Sequence, residues 1–374
     1  MNMAEKKGLE GIVAAETKIS SIIGTQLTYS GYEIDDLTEN AQFEEVVYLI
    51  WNQKLPNKAE LADFKAKLNS YMSLEDGMKA HLKSYDLTKV HPMAALRTSI
   101  SMLAHFDEDA DDMSEEKNKE KAIRIQAKVA SLVAGIARVR NNKDIIEPNS
   151  DLSFAANFLY MLNGELPSDV EEEAINKALI LHADHELNAS TFTARVCVAT
   201  LSDIYSGVVA AAGALKGPLH GGANEAVMKM LGEIGSLDNV DAYIHSKLEN
   251  KEKIMGMGHR VYKEGDPRAK YLKEMSKLLT EQQGEPELHE MSSRIAEIVK
   301  NEKGLLPNVD FYSATVYHSL GIDHDLFTPI FTLSRVSGWL AHILEQYADN
   351  RLIRPRAEYV GPDVRKYTSI DERN

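Results

Sequence analysis

AIRIQAKVASLVAGIARV, residues 122–139, is the stretch that decides the fold class of this chain. Its large apolar side chains recur every three or four positions and so lie on one face of an α-helix. FEEVVYLIW at 43–51 repeats this spacing. Further segments are predicted to be helical: 152–162, 170–186, 191–213, 222–232, 268–280, 287–300, 311–320 and 330–348. Residues 17–34 are instead rich in Ile, Thr and Tyr around glycine turns. The sequence therefore predicts a mostly α-helical fold with a small N-terminal β-hairpin.

The composition limits the class of protein. The chain has 374 residues, a formal net charge of −15 and a single cysteine, Cys197. Such an acidic chain lacks the positive field that nucleic acid binding needs, and no apolar run approaches the ~20 residues of a membrane-spanning helix. One cysteine leaves no internal disulfide and suits a reducing compartment. We expect a cytoplasmic protein with neither nucleic acid nor a membrane as its partner.

Two glycine-flanked segments interrupt the helical pattern. The first runs from Gly213 to Gly222, and the second, about a hundred residues later, runs from His318 to Gly321. Both are candidate hinges, so the segment between them would form a second lobe inserted into a larger one. Ligands usually bind in the cleft between two lobes.

GALKGPLHGGANEAV, residues 213–227, places His220 among glycines just before a predicted helix. The first N–H groups of a helix carry partial positive charge, which disfavours an imidazolium. His220 is therefore predicted to stay neutral and to donate a hydrogen bond to a polarised oxygen, while the glycines leave room for the ligand. The alternative is that Gly217 and Pro218 form a turn and that His220 only caps the helix.

Two further stretches carry a candidate donor and a candidate base. IMGMGHRVYKEGDPRAK, residues 254–270, sets His259 near arginines, which suits a carbonyl flanked by carboxylates. The alternative is a surface turn with scattered charges. Asp310 precedes an apolar helix, where burial would raise the basicity of its carboxylate, as a general base requires. The alternative for Asp310 is an N-cap.

HADHELNAST, residues 182–191, is the stretch whose residue types most suggest a metal site. His182 and His185 are three positions apart on one predicted helical face, and Glu186 follows them. The zinc-protease pattern needs histidines four apart with the glutamate between them, and a single cysteine excludes a Cys-rich site. We predict no metal, a ligand-binding role for His185, and a supporting or core position for His182.

Arginines near the C-terminus offer cations to an otherwise acidic chain. Arg335 lies on an apolar helix, where an arginine needs a partner. Arg351, Arg354 and Arg356 could complete a cluster for an anionic ligand. The alternative for Arg351 and Arg356 is a solvated tail.

Six motifs in sequence order make the chain resemble the citrate synthase family. They are HADHELNAS (182–190), GPLHGGANE (217–225), GMGHRVYKEGDPR (256–268), PNVDFYSA (307–314), SRVSGWLAHILEQ (334–346) and NRLIRPR (350–356). The resemblance covers nearly the whole chain and is greatest for the compact form found in Gram-positive bacteria. Met257 stands where the family usually has an aromatic residue.

The resemblance implies an almost entirely helical homodimer whose subunits close over their substrates. Residues 1–217 and 321–374 would form a large domain that makes the dimer, and residues 218–320 a small domain with the acyl-CoA and catalytic groups. The implied activity is the condensation of acetyl-CoA with oxaloacetate to citrate and CoA. This acyl transfer needs neither a metal nor another cofactor, since acetyl-CoA is a substrate.

The resemblance also implies roles for the candidate residues. His220 would donate a hydrogen bond to the thioester oxygen of acetyl-CoA, Asp310 would remove a methyl proton, and His259 would bind and protonate the ketone of oxaloacetate. The implied oxaloacetate ligands are His185, Asn188, Arg268, Arg335 and, contributed across the dimer interface, Arg354. The implied CoA ligands are Lys253, Met255, Gly256, Met257, Gly258, Lys263 and Lys303.

Three alternatives stay open at this point. A 2-methylcitrate synthase would use propionyl-CoA with the same catalytic residues, because one methylene is worth only about 1–3 kcal/mol of discrimination. A metal-dependent hydrolase would use His182, His185 and Glu186. A helical interaction protein without catalysis would need none of the candidate residues for activity.

Overall fold

The computed structural model describes residues 7–9 and 11–373, and helices account for most of them. The prediction of a mostly α-helical fold is confirmed. In chain order the helices are α1 (Ile34–Asn40), α2 (Phe43–Asn52), α3 (Lys58–Met72), α4 (Asp76–Lys83), α5 (Pro92–Leu103), α6 (Glu115–Arg140), α7 (Phe154–Asn163), α8 (Asp169–His182), α9 (Ala189–Val198), α10 (Ile204–Leu215), α11 (Ala223–Ile234), α12 (Val240–Glu249), α13 (Ala269–Gln282), α14 (Pro286–Lys303), α15 (Val309–Ser319) and α16 (Phe327–Ala348). No helix in this described part of the chain has both the length and the apolar character needed to span a membrane.

The predicted N-terminal hairpin is present, and a third short strand extends it. The strands β1 (Ser20–Ile23), β2 (Gln26–Tyr29) and β3 (Tyr32–Glu33) pair antiparallel in that order. The buried Tyr29 fixes this sheet to the helices, because its hydroxyl lies 3.0 Å from the carbonyl oxygens of both Ile180 and Asp184. The sheet therefore rests against the end of α8.

Two of the predicted helices were wrong in their extent. α8 ends at His182 rather than at 186, and Glu186 takes a left-handed backbone conformation (φ 53°) that no right-handed helix continues. The segment 191–213 forms two helices, α9 and α10. Leu201 breaks the first (φ 65°), and the Asp203 side chain starts the second by accepting the N–H of Ser206 at 2.9 Å.

α16 is the central helix of the structure. Every residue from Phe327 to Ile343 is buried, as expected for a helix surrounded by others. It packs against α2, α5, α6, α8, α9, α10 and α11. Gly338 allows α16 to touch the turn that follows α8, since its N–H donates to the Ala183 carbonyl at 3.1 Å. A Cβ at Gly338 would overlap that carbonyl oxygen and Asp184 Oδ1.

The helices between residues 218 and 320 pack largely on one another. α13 packs against α14 and α15, α11 against α15, and α12 against α14. Segments 216–222 and 323–328, at the two ends of this region, line one cavity of about 700 Å³. The proposed boundaries of the large and small domains stay a prediction.

Replacing Gly338 by alanine tests the close approach of α16 to the turn after α8. We expect the free energy of unfolding to fall by about 1–3 kcal/mol, because the added methyl overpacks a core that has no room for it. Urea unfolding followed by circular dichroism measures the change.

Gly232 provides the matched control. It is exposed within α11, and no atom lies within 4 Å of the position its Cβ would take. Gly232→Ala should raise the free energy of unfolding by about 0.5–1 kcal/mol, because alanine is the better helix former. Equal stability changes in the two variants would contradict the packing described for α16.

Candidate active site

A glycine-containing loop holds His259 beside the start of α15. Gly256 and Gly258 both have positive φ, 75° and 79°. Asn308 binds both of them: its N–H donates to the Gly256 carbonyl, and its side-chain amide donates to the Gly258 carbonyl, each at 2.9 Å. Because Asn308 also caps α15, the loop and that helix form one unit. His259 and Asp310 are thereby placed on adjoining segments.

The backbone sets the tautomer of His259. Its Nδ1 accepts hydrogen bonds from the N–H groups of Val261 (3.0 Å) and Tyr262 (3.1 Å). The proton of the neutral ring must therefore lie on Nε2. Burial, and secondly the charge of Arg268, lower the pKa of His259 to about 4. His259 is thus a neutral donor through its Nε2–H.

His185 lies beside His259 in the turn that follows α8. The two ring centroids are 5.3 Å apart, and Nε2 of His185 is 3.1 Å from the hydroxyl of Tyr262. Burial lowers the pKa of His185 well below its ordinary value, and the charges of Arg268 and Arg335 act in the same direction. The site therefore contains a second neutral imidazole.

The structure separates His182 from His185. α8 ends at His182, so the predicted shared helical face was wrong. His182 is fully buried, its Nδ1 donates to the Ala178 carbonyl at 2.7 Å, and burial lowers its pKa to about 3. Among the residues that the structure describes, no group of three or more His, Cys, Asp or Glu side chains is placed to hold a metal ion.

Arg268 is buried against Asp266 in a two-pronged ion pair. Its Nε donates to Oδ1 at 2.9 Å and its Nη2 to Oδ2 at 2.8 Å. Oδ2 of Asp266 also accepts the N–H of Val309 at 3.0 Å, which ties the guanidinium to the start of α15. We did not single out Asp266 from the sequence, although an acid two residues before a buried arginine is a recognisable signal.

Arg335 is buried in the core of the structure. Its Nε donates to the His182 carbonyl at 2.7 Å, and its guanidinium lies 4.8 Å from the centre of the Phe331 ring. Within the described residues, no carboxylate oxygen hydrogen-bonds to it. Burial lowers its pKa to about 10. A buried cation that the fold leaves unpaired is suited to an anionic ligand.

Asp310 is the second residue of α15 and not its cap. The cap is Asn308, whose side chain accepts the Asp310 N–H at 3.0 Å, so the capping alternative for Asp310 was wrong. Oδ1 of Asp310 is inaccessible to solvent and has no hydrogen-bond partner among the described residues. Burial raises the pKa of Asp310 to about 6, while the charges of Arg268 and Arg335 oppose the rise. A carboxylate with this pKa can serve as a general base near neutral pH.

His220 is held by Ser190 at the start of α9. The Ser190 N–H donates to Nε2 of His220 at 3.3 Å, and the Ser190 hydroxyl lies 2.7 Å from the same atom. Trp339 fixes Ser190 in turn, because its indole N–H donates to the Ser190 hydroxyl at 3.0 Å. Since Nε2 accepts the backbone N–H, the proton of the neutral ring lies on Nδ1. Ser190 and Trp339 were not predicted to contribute.

The predicted cause of the neutrality of His220 needs correction. α11 begins at Ala223 with Gly222 as its cap, so His220 precedes the helix by more than a residue. Its pKa falls to about 4 because the ring is buried and, secondly, because Arg335 is near. Gly221 has a different purpose from the one predicted: a Cβ there would lie 2.5 Å from the Leu215 carbonyl oxygen, so the turn itself requires glycine.

The remaining predicted ligands are not part of this group of histidines, arginines and Asp310. Asn188 caps α9 and binds Ser190, because its Oδ1 accepts the Thr191 N–H at 3.0 Å and the Ser190 hydroxyl at 2.8 Å. Arg354 is exposed in the C-terminal segment. Met255, Met257 and Gly258 are half-buried and Gly256 is buried in the loop before His259. The three predicted CoA lysines are exposed: Lys253, Lys263 and Lys303. Their roles stay predictions.

The cluster combines groups that polarise and deprotonate a carbon acid. His220 and His259 present neutral N–H donors, Asp310 is a base, and Arg268 and Arg335 supply positive charge. Donors that meet an oxygen as it gains charge lower the barrier to forming an enolate. The arrangement therefore suits a proton abstraction next to a carbonyl, with a second, anionic carbonyl compound bound alongside.

Comparison with known proteins agrees with this chemistry. A family model described as citrate synthase, C-terminal domain, matches residues 8–356. Citrate synthase 2 of Bacillus subtilis (strain 168) is 66% identical over 371 residues, which are 99% of this chain and 100% of that protein. A citrate/2-methylcitrate synthase of the same strain is 44% identical, over 95% of this chain and 96% of its own. The solved ternary complex of carboxymethyl coenzyme A and oxaloacetate with citrate synthase from Thermoplasma acidophilum has a TM-score of 0.93 at 34% identity, covering 98% of both chains.

The raised pKa of Asp310 predicts a pH-dependent stability. The folded pKa of about 6 exceeds the ordinary value of 3.8, so the folded state binds the proton more tightly than the unfolded state. The contribution of Asp310 to stability should therefore fall as the pH rises from about 4 to about 6, and stay lower above that. Asp310→Asn, which does not ionise, should be more stable than the wild type at pH 7.5 by at most about 3 kcal/mol, and by less at pH 5.

Urea unfolding at the two pH values measures this difference. Asp151→Asn, at an exposed position, is the matched control for loss of a carboxylate. A stability difference between Asp310→Asn and the wild type that is equal at both pH values would show that Asp310 has no raised pKa.

Proposed function

Because the chain belongs to the citrate synthase family, we propose that it is an acyltransferase that condenses acetyl-CoA with oxaloacetate to give citrate and CoA. The observation that carries this proposal is that His220, His259 and Asp310 all have pKa values shifted by burial and all lie within electrostatic reach of the buried Arg268 or Arg335. Each of these groups answers a requirement of the reaction. The solved complex of a family member with carboxymethyl coenzyme A and oxaloacetate supports the choice of substrates.

Oxaloacetate matches the cations and one donor of the site. Arg268 and Arg335 bind its carboxylates, and for Arg335 the substrate supplies a carboxylate that can hydrogen-bond directly to the guanidinium. The Nε2–H of His259 donates to the ketone oxygen and so polarises the carbon that will be attacked. His185, 5.3 Å from His259 between ring centroids, borders the same space.

Asp310 and His220 act together on acetyl-CoA. Asp310 removes a proton from the methyl group, and the Nδ1–H of His220 stabilises the thioester oxygen as it gains charge. Neither group suffices alone, since a methyl beside a thioester is a weak acid and a carboxylate of pKa about 6 is a modest base. Both groups are buried or half-buried, which strengthens the interaction by excluding water.

The new bond forms between the enolate carbon and the ketone carbon of oxaloacetate. The ketone oxygen takes the proton from Nε2 of His259 as the bond forms, which leaves citryl-CoA. The His259 ring then regains a proton, through water, in exchange for the one that Asp310 took from the methyl group. Water then hydrolyses the thioester and releases citrate and CoA. The side chains supply every acid, base and charge in this sequence, so we expect no metal or other cofactor.

The CoA portion is proposed to follow the loop that leads to His259. Met255, Met257 and Gly258 present backbone and apolar surface there, and Gly258 allows close approach. Gly256 is buried against Phe311 and Val227, so it would contribute by shaping the loop. The exposed side chains of Lys253, Lys263 and Lys303 suit the phosphates of CoA. Lys263 lies nearest to the chemistry, with its Nζ 3.4 Å from the His259 carbonyl.

The second candidate function is 2-methylcitrate synthase, which uses propionyl-CoA. One of the relatives is named for both activities, and one methylene is a small difference for a pocket to detect. Citrate synthase is favoured because the relative named only for citrate is 66% identical, against 44% for the other.

Release of the CoA thiol tests the function directly. The wild type should release thiol from acetyl-CoA only when oxaloacetate is present, and kcat/KM should be higher for acetyl-CoA than for propionyl-CoA. Asp310→Ala should lose at least about 100-fold in kcat, the scale of removing a general base. Asp151→Ala, an exposed carboxylate, should retain wild-type kcat.

Three outcomes would overturn the proposal. A large preference for propionyl-CoA would assign the chain to 2-methylcitrate synthesis. Activity that is lost with a chelator and restored by zinc would point to metal-dependent hydrolysis. Unchanged activity in both Asp310→Ala and His259→Ala would remove catalysis from this site.

We also propose a homodimer in which Arg354 completes the oxaloacetate site of the neighbouring subunit. Arg354 is exposed, in a C-terminal segment that leaves apolar side chains such as Leu352 and Tyr359 in solvent. Segments of this kind are usually covered by another chain. The family resemblance supports the direction in which Arg354 reaches.

Co-expression of two inactive variants tests this arrangement. If Arg354 acts across the interface, a dimer of one Arg354→Ala and one Asp310→Ala subunit contains one intact site. Random pairing should then restore about a quarter of the wild-type activity. No recovery in preparations shown to contain mixed dimers would mean that Arg354 acts within its own subunit or not at all.

A further inference from the structure

We propose that Asp184 is a positioning residue that fixes the turn carrying the oxaloacetate-binding His185, and that His342 and the Arg195–Glu345 ion pair hold it in place. This inference rests on the proposed function, because it concerns how the substrate site is kept in shape. It comes from a buried polar chain that connects the turn after α8 with α16 and α9.

Asp184 is a fully buried carboxylate next to His185 in the sequence. Its Oδ2 accepts the hydroxyl of Ser20, from β1, and the N–H of Glu186 at 3.1 Å. The bond to Glu186 closes the backbone around His185, and it holds Glu186 in its left-handed conformation, φ 53°. An uncommon conformation of a non-glycine residue persists only when its surroundings enforce it.

His342 is the main side-chain partner of Asp184 on α16. Its Nε2 lies 3.3 Å from Oδ1 and 3.4 Å from Oδ2 of Asp184. On the other side of the ring, Nη1 of Arg195 donates to Nδ1 at 3.0 Å. Since Arg195 has only donors, Nδ1 accepts and Nε2 carries the proton toward Asp184. The two contacts therefore fix the orientation of the His342 ring between Arg195 and Asp184.

Arg195 is anchored in turn near the surface. Its Nη1 pairs with Oε2 of Glu345 at 2.6 Å, and its Nε donates to Gln346 at 3.0 Å. The other oxygen of Glu345 accepts the N–H of Lys18 at 2.8 Å, just before β1. The polar chain thus begins at Ser20 in β1 and ends at Lys18, two residues before it.

The charge of Asp184 also acts on Arg335. Burial disfavours the charged form of Arg335, and Asp184 is the foremost negative group that opposes this effect. No direct hydrogen bond joins the two side chains among the described residues, so the interaction acts through space within the buried region. Asp184 therefore stabilises the charged form of Arg335. The hydrogen-bond donors of Arg335 are not used by Asp184 and can bind a substrate carboxylate.

Three variants separate positioning from general stability. Asp184→Asn keeps the size of the side chain and removes its charge. His342→Leu removes both hydrogen bonds of the ring. His342→Gln preserves them, since an amide can donate to Asp184 and accept from Arg195. Asp151→Asn, at an exposed position, is the control for charge.

The expected result is a rise in the KM for oxaloacetate of about 10-fold or more in Asp184→Asn and His342→Leu, with kcat changed by less than about 3-fold. This pattern arises when an interaction that serves substrate and transition state alike is weakened. His342→Gln should stay within about 3-fold of the wild-type KM. Calorimetric titration with oxaloacetate, without acetyl-CoA, should show the same order in Kd.

A purely structural role predicts a different result. His342→Leu would then yield less folded protein with a lower melting temperature, while the KM and Kd for oxaloacetate of the folded fraction would equal those of His342→Gln. That outcome overturns the inference, and it decides the matter even if Asp184→Asn does not fold. If the wild type itself makes no citrate, the proposed function fails, whereas an active wild type with unchanged KM in the variants defeats only the positioning role of Asp184.

Discussion

The site depends on one constraint, the burial of two arginine side chains, Arg268 and Arg335. They lie near three histidines and an aspartate: His185, His220, His259 and Asp310. Arg268 is neutralised by Asp266, but Arg335 has no carboxylate bound to it among the described residues. Burial and, secondly, their positive field favour neutral imidazoles, whereas at Asp310 the field restrains a rise in pKa that burial alone would push higher. The two cations thus reinforce the effect of burial on the histidines and oppose it on the carboxylate.

Several residues of the site lie at the ends of helices. Asp310 lies in the first turn of α15, Ser190 in the first turn of α9, and Arg268 caps α13. Arg335 is the exception, because it projects from the middle of α16, the most deeply buried helix. Placing reactive groups at helix ends leaves their backbone close to ligands, while the helix bodies provide a rigid support.

The sequence predicts the helical class and the N-terminal hairpin, because periodicity and residue type report on both directly, whereas the roles of the site residues stay predictions. The sequence does not predict features that depend on tertiary contacts, such as helix boundaries and the partners of buried side chains. The break at Leu201 contains neither glycine nor proline, so the capping residue Asp203 is the main local signal that separates α9 from α10. Ser190 and His342 lie inside quoted motifs, but the motifs do not reveal their contacts, because their partners are 30 and 158 residues away in the chain. The neutrality of His220 was predicted, but its cause lies in burial and in Arg335, which a local motif does not reveal.

The tautomers of His259 and His220 depend on main-chain N–H groups, at Val261 and Tyr262 for the first and at Ser190 for the second. Every amino acid except proline provides such a group. Amino-acid substitutions at 261 and 262, other than to proline, therefore leave the proton of His259 on the same nitrogen. Evolution can remodel the surroundings of this imidazole, for instance to admit a larger acyl chain, without losing the direction in which it donates.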